Sequence, residues 1–250
     1  MVNINRIISL VIMAALAVLT FHVLEGYNQK YTKVSDVLLK DILIAIDPGH
    51  GGIDGGASLG EQFNEKDINL DISLKLQTLL INAGANVVMT RDSDVSLENK
   101  SDLQSSRYKK DLDARQDIVN NSNADIFVSI HSNCFRSNPK TRGAIVFYHY
   151  SSEEGKILAE SIGSSINEIV YKSLLGTAAL ESKVLPEDLF MLRSINIPGV
   201  LVEVGYMTNW EEGRLLRQND FQAAMAEAIA AGLQNYYKSK NVLRYYNYTY

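Results

Sequence analysis

The stretch from Ile42 to Gly56, ILIAIDPGHGGIDGG, constrains the fold of this chain more than any other part of the sequence. It begins with a short apolar run over residues 42–46 that is rich in β-branched side chains, and such a run predicts a strand buried on both faces. The glycines that follow allow the backbone to turn tightly. The pattern therefore predicts a central strand whose carboxyl end delivers the His50 imidazole to the sheet edge where sites form in open α/β folds.

The rest of the chain alternates apolar runs of strand length with segments of helical periodicity. After residues 42–46, the predicted strands cover residues 86–90, 124–130, 143–150 and 200–204, and the predicted helices cover residues 65–83, 112–120, 152–171 and 211–237. Residues 91–110 are polar and predict a long surface loop, and residues 176–198 give no clear element. The order predicts a single three-layer α/β domain with a mostly parallel central sheet of about five to six strands flanked by helices.

An almost wholly apolar segment, residues 7–24, lies near the N-terminus and directly follows Arg6. Its length is close to the minimum for a spanning helix, so it predicts an uncleaved membrane anchor or a signal peptide rather than a buried core helix. Arg6 favours a cytoplasmic N-terminus and an exported remainder. We expect an anchor or signal segment at residues 1–25, a polar linker at 26–41, one globular domain at 42–238 and a loosely held tail at 239–250.

The balance of charges argues against one class of function. The formal net charge is −5, which gives no support to nucleic-acid binding or to a polybasic membrane patch. The chain has one cysteine, Cys134, so no intrachain disulfide can form.

Four polar side chains fall at equivalent places in the predicted sheet. His50 follows the first strand, Glu65 begins the next helix, His131 follows the third strand and Glu203 lies near the end of the fifth. Two imidazoles and one carboxylate are a common ligand set for catalytic zinc, and a carboxylate inside an apolar strand is normally paired, protonated or near a metal. The alternatives are a glutamate that serves the helix dipole, a strand glutamate that faces solvent, and histidines that are only hydrogen-bonded.

Four blocks of the sequence resemble the zinc-dependent N-acetylmuramoyl-L-alanine amidases. They read IDPGHGG, NEKDINLDISLKLQTLLINAGANVVMTRD, LDARQDIVNNSNADIFVSIHSN and IPGVLVEVGYMTN, and they span residues 42–209. The single-domain layout, without cell-wall-binding repeats, is most similar to the germination-specific amidases of spore formers. The resemblance implies hydrolysis of the amide between the lactyl group of N-acetylmuramic acid and the L-alanine of the stem peptide, in the spore cortex, where it leads to muramic-δ-lactam.

The same resemblance assigns roles to particular residues of the catalytic domain. The ligands of one Zn²⁺ ion per chain are matched by His50, Glu65 and His131, and the catalytic glutamate is matched by Glu203. Asp47 is the candidate to accept a hydrogen bond from a ligand imidazole. Arg193 ends the tripeptide MLR at residues 191–193, which matches the family pattern, and it is the candidate to bind a substrate carboxylate or stabilise the oxyanion.

The resemblance also implies partners and a location. The partners are cortex peptidoglycan and, through the N-terminal segment, the membrane, with no nucleic acid. The place of action is outside the cytoplasmic membrane, in the space between forespore and cortex. An accessory protein could hold the site closed, but no such partner can be read from the residues.

Three features differ from the family pattern or leave alternatives open. Residues 175–189 contain no arginine where relatives carry one, so the contacts of this segment with the substrate are expected to differ. Cys134, three residues after His131, is expected to be a small packed residue rather than a stray ligand or a reactive thiol, and His149 is expected to have a structural role. A zinc peptidase that cuts another bond, and a degenerate cell-wall binder, are the alternative functions.

Overall fold

A computed structural model of the chain describes Met13, residues 39–60 and residues 63–247, with side chains described as far as residue 240. The predicted anchor at residues 1–25, apart from Met13, and most of the predicted linker at 26–41 lie outside the described residues. None of the helices within the described ranges combines the length and the apolar character that crossing a membrane requires.

The described residues form a six-stranded sheet. The strands are β1 (Leu43–Pro48), β2 (Asn86–Met89), β3 (Ile126–Asn133), β4 (Ile145–Tyr148), β5 (Lys183–Pro186) and β6 (Gly199–Tyr206). Their order across the sheet is β2-β1-β3-β6-β4-β5, and every neighbouring pair is parallel except β4 with β6. The predicted mostly parallel sheet is confirmed, and β1 and β3 lie in its interior.

Helices cover both faces of the sheet. They are α1 (Glu65–Asn82), α2 (Arg107–Asn120), α3 (Glu153–Ile166), α4 (Phe190–Ser194), α5 (Trp210–Leu215) and α6 (Asn219–Asn247), and a π-helix, Asn167–Leu174, continues α3. Side chains alternate between the two faces of β1, so that Ile44 and Ile46 enter a large core with α1, α3 and α6, whereas Ala45 enters a smaller core with α2 and α4. The predicted three-layer domain is confirmed.

Several element boundaries differ from those predicted, for physical reasons. The strand β5 was not predicted because it lies at the edge of the sheet, ends in a proline and exposes most of its side chains, so it has no apolar run. The predicted closing helix, residues 211–237, is divided into α5 and α6. At the break between them, the side-chain amide of Gln222 donates to the carbonyl of Leu216. Helix α6 also continues through Asn247, past its predicted end.

Candidate active site

Three of the predicted side chains meet at the carboxyl edge of the sheet. His50 follows β1, Glu65 is the first residue of α1, and His131 lies near the end of β3. Their candidate donor atoms all lie within 4.8 Å of one another. Glu65 Oε1 is 3.1 Å from His50 Nε2 and 3.0 Å from His131 Nδ1. This group could hold a metal ion, because it brings together two imidazole nitrogens and a carboxylate oxygen.

The Glu65 carboxylate is fixed by backbone amides as well as by the imidazoles. The Ala57 amide donates to Oε2 at 2.9 Å, and the Ser132 amide donates to Oε1 at 3.2 Å. Burial alone would raise the pKa of Glu65, but His131 and His50 hold it well below its usual range. Burial alone would lower the pKa of His50, but Glu65 and Asp54 raise it to about 9. The cluster therefore attracts positive charge, which a bound cation would supply.

The second nitrogen of His50 is held by a carboxylate that was not among the predicted site residues. His50 Nδ1 lies 2.8 Å from Asp54 Oδ2, and the Gly56 amide donates to Asp54 Oδ1 at 3.0 Å. This contact leaves Nε2 facing Glu65, as in a histidine ligand whose outer nitrogen is hydrogen-bonded. Asp54 could have been found as the one carboxylate inside the glycine loop itself.

Asp47 has a different environment from the one expected. Among the described residues its hydrogen-bond partners are Thr90 Oγ1 at 2.6 Å, Ser129 Oγ at 2.8 Å and Arg115 Nη1 at 2.6 Å, and no imidazole is among them. Burial would raise the pKa of this carboxyl, but Arg115 and the two hydroxyls keep it below its usual value. Asp47 thus anchors a buried arginine, and Asp54 has the contact that was expected of Asp47.

Two buried arginines hold the backbone of the loop that carries His50. Arg115 donates to the carbonyls of Pro48 at 2.9 Å and His50 at 2.5 Å. Arg91 donates to the carbonyls of Pro48 and Gly49, both at 2.9 Å. Arg91 is only 3% exposed, although it begins the segment predicted as a surface loop. No sequence pattern predicts this arrangement, because an arginine in a polar segment is usually exposed.

Close approach explains two of the glycines in this loop. A Cβ atom on Gly49 would lie 2.3 Å from the ring of His131, and one on Gly56 would lie 2.6 Å from Glu65 Oε2. His50 itself has a φ of 62°, in the left-handed region that non-glycine residues rarely adopt. The loop therefore brings its backbone directly against the cluster and is held in an unfavourable conformation by its contacts.

Glu203 lies beside the cluster on β6. It is in register with His131 on the neighbouring strand, and its Oε2 atom is buried with no hydrogen-bond partner in the part of the chain that the structure describes. Burial raises the pKa of Glu203 to about 7; His131 and His50 act against this shift, and Glu65 adds to it. A carboxyl group that titrates near neutral pH can both accept and release a proton during a reaction.

The remaining candidates are not among the three donors. Arg193 is half exposed, pairs with Asp188 at 2.6 Å, and lines a cleft of about 470 Å³ together with His149. No member of the cluster lines that cleft, so the structure does not bring Arg193 to the three donors. His149 Nδ1 lies 2.7 Å from Ser151 Oγ, in keeping with a structural role. Cys134 is not in the group of candidate donors.

This fold and site define a class of protein, an α/β domain with a candidate metal centre and a buried carboxyl group at one sheet edge. The family described as N-acetylmuramoyl-L-alanine amidase matches residues 44–235. The chain belongs to this family, which confirms the predicted family and enzyme class.

Individual relatives agree with this assignment. The germination-specific N-acetylmuramoyl-L-alanine amidase of Bacillus subtilis is 33% identical over 79% of this chain and 81% of that protein. The probable cell wall amidase LytH of Staphylococcus saprophyticus is 32% identical over 80% of this chain, which spans only 60% of LytH. Among solved structures, the CwlD amidase of Clostridioides difficile, in complex with the GerS lipoprotein, has a TM-score of 0.71 and 38% identity, over 80% of this chain and 100% of that one.

Proposed function

We propose that this amidase is zinc-dependent, with Zn²⁺ held by His50, Glu65 and His131 and with Glu203 as the catalytic proton carrier. The observation that carries the proposal is the convergence of the three donors beside a buried carboxyl oxygen that has no partner among the described residues. A structural ion pair would not require that second carboxyl group, whereas amide hydrolysis requires a group that moves protons.

The residues present fit a zinc ion. Two nitrogens and one oxygen are the donors of many catalytic zinc sites, in which a fourth position stays open for water or substrate. Asp54 would fix the orientation of the His50 ring as a ligand. Zinc, when bound, lowers the pKa of its water to about 7 and polarises a carbonyl group.

The protein side chains supply the proton transfers. Glu203 accepts a proton from the water that attacks the lactyl carbonyl carbon, and it gives that proton to the nitrogen of L-alanine as the carbon–nitrogen bond breaks. The products are a free lactyl carboxyl group and a free L-alanine amine. Burial raises the pKa of Glu203 in the metal-free chain, which favours proton uptake by this carboxyl group.

The proposed substrate is peptidoglycan of the spore cortex, acted on outside the cytoplasmic membrane. The germination-specific relative from Bacillus subtilis supports the cortex. The predicted N-terminal anchor or signal segment would bring the domain there. The Clostridioides difficile relative was solved with a lipoprotein, so an accessory protein is a hypothesis for this chain that a binding assay can test.

One experiment tests the proposal. Protein that starts at residue 26 is purified, its zinc content is measured, and cortex fragments treated with it are analysed by mass spectrometry. We expect about one zinc per chain and the simultaneous release of the lactyl carboxyl and the L-alanine amine. Cleavage at another peptide bond would support a peptidase instead. A folded, zinc-free preparation that cleaves at full rate would overturn the mechanism.

A further inference from the structure

A cleft of about 410 Å³ opens beside the candidate metal centre. Its walls are the loop with His50 and Asp54, the segment with Glu98, and the beginning of α2 with Arg107 and Tyr108. It is separate from the cleft that Arg193 lines. The cleft therefore offers a surface next to a proposed zinc ligand, on the side of the sheet that α2 covers.

The cleft continues toward the reaction centre. A smaller cavity of about 60 Å³ reaches both His50 and His131. The two spaces have His50, Asp54, Tyr108 and Asp111 as common walls. A substrate segment lying in the cleft would therefore be adjacent to the amide bond that is cleaved at the cluster.

Most charged groups of the cleft are already paired. Asp54 contacts His50, and Asp111 Oδ2 accepts from Arg115 Nε at 2.5 Å. Glu98 and Arg107 differ from them, because neither side chain has an ion pair or hydrogen bond with any other described residue. Arg107 is exposed and lies in the first turn of α2, where a cation is unfavourable for the helix dipole. Helix stability therefore does not explain its presence.

The two arms of the substrate differ in charge. The lactyl carboxyl group of the sugar is consumed in the scissile amide, so the glycan near that bond presents hydroxyl and acetamido groups. The stem peptide carries free carboxylates and an amino group. A guanidinium is well suited to bind a carboxylate because its planar donors match both oxygens.

We propose that this cleft binds the stem peptide and that Arg107 pairs with one of its carboxylates, which makes Arg107 a specificity-determining residue. The inference rests on the proposed amidase function. Arg193 was the arginine expected to bind the substrate. We assign that role to Arg107 instead, because Arg107 lines the same cleft as His50, a proposed zinc ligand. Glu98, of opposite charge in the same cleft, suits a peptide with an amino group better than an uncharged glycan.

The test compares two muramoyl peptides that differ only in whether the peptide carboxylates are free or converted to carboxamides. The zinc-loaded wild-type protein is expected to favour the free carboxylates. Arg107→Ala should lower kcat/KM on that substrate by about tenfold to a hundredfold, chiefly through KM, and leave the carboxamide substrate nearly unchanged. Arg107→Lys should retain part of the preference.

A matched control lies in the same turn of the helix. Lys109 has the same charge but does not line the cleft, so Lys109→Ala should leave both substrates unaffected. An equal loss in Arg107→Ala and Lys109→Ala, a preference that survives in Arg107→Ala, or a wild-type protein without preference would each overturn the proposal for Arg107. Those results leave the amidase proposal intact, because they concern only the preference between two substrates that are both cleaved at the lactyl–L-alanine amide; wild-type protein that cleaves that amide in neither substrate would count against the amidase proposal itself.

Discussion

The two imidazoles of the site are positioned by different kinds of structure. His131 lies on β3, an interior strand whose backbone is hydrogen-bonded to β1 on one side and β6 on the other. His50 lies in a glycine-rich loop, at a positive φ, and its backbone is held by Arg91 and Arg115. One donor depends on the regular ladder of the sheet, and the other depends on buried charged side chains.

The difference shows what each half of the site requires. The backbone groups of an interior strand are satisfied by the strands on either side, so β3 and β6 need only apolar packing on their two faces. The loop has several carbonyl groups close together with no neighbouring strand to donate hydrogen bonds to them, and an unpaired buried carbonyl is costly. A guanidinium has five donors and can satisfy several carbonyls at once. We therefore expect mutations in the two halves to fail in different ways.

The largest effect is expected on the strand side, at Glu203. Glu203→Gln removes the proposed proton carrier but keeps the shape of the side chain, so kcat should fall by about 10²–10⁴-fold while zinc content and unfolding stay close to wild type. Steady-state kinetics, metal analysis and urea unfolding measure these three quantities. Glu212→Gln is the comparison for kcat alone: the two oxygens of the buried Glu212 accept hydrogen bonds from the amides of Gly143 and Tyr206, so this change should lower stability and leave kcat near wild type. Normal turnover by Glu203→Gln would remove Glu203 from the mechanism.

On the loop side, Arg115→Ala should damage stability. It leaves Asp47 buried without its cation and releases the carbonyls of Pro48 and His50, which should reduce the free energy of unfolding by about 3–5 kcal/mol. Zinc affinity should fall as well, because the loop that carries His50 loses its support. Urea unfolding measures the loss, with Lys109→Ala on the exposed side of α2 as control. A loss below about 1 kcal/mol would show that Arg115 does not hold the loop.

A smaller effect is expected at the contact between Asp54 and His50. Asp54→Asn keeps the size of the side chain but weakens its hold on His50 Nδ1, so zinc affinity should fall by about 10–100-fold. Competition with a chelator measures the affinity. Asp94→Asn is a useful comparison, because Asp94 binds the same loop through the Gly52 amide without contacting an imidazole. If the two variants lose the same affinity, the contact with His50 has no special role.

The smallest effect is expected in acid. Because Arg115 and its neighbours outweigh burial, the pKa of Asp47 in the folded protein is below its value of about 3.9 in the unfolded chain. The carboxylate therefore contributes stability that is present above about pH 4 and is lost as the pH falls toward the folded pKa. Metal-free Asp47→Asn should be less stable at neutral pH and lose less stability on acidification. Equal slopes of unfolding free energy against pH would contradict this.

Much of the site could be predicted because its signals are local. The apolar run before His50, the helix that begins at Glu65 and the strand that contains Glu203 each occupy a few consecutive residues, and parallel strands bring their carboxyl ends to one edge. Asp54 was open to the same reasoning but was not selected. The edge strand β5 and the break between α5 and α6 have weak local patterns, so they were missed.

The sequence by itself determined most of the alternation of strands and helices, the three-layer fold and the meeting of His50, Glu65 and His131 at one sheet edge. Only the tertiary structure decided that Arg115 pairs with Asp47, 68 residues earlier in the chain. It also decided that Arg193 lines a different cleft from Arg107. The physical reason is that periodicity records which face of an element is buried, whereas the partner of a long charged side chain depends on elements that folding brings together.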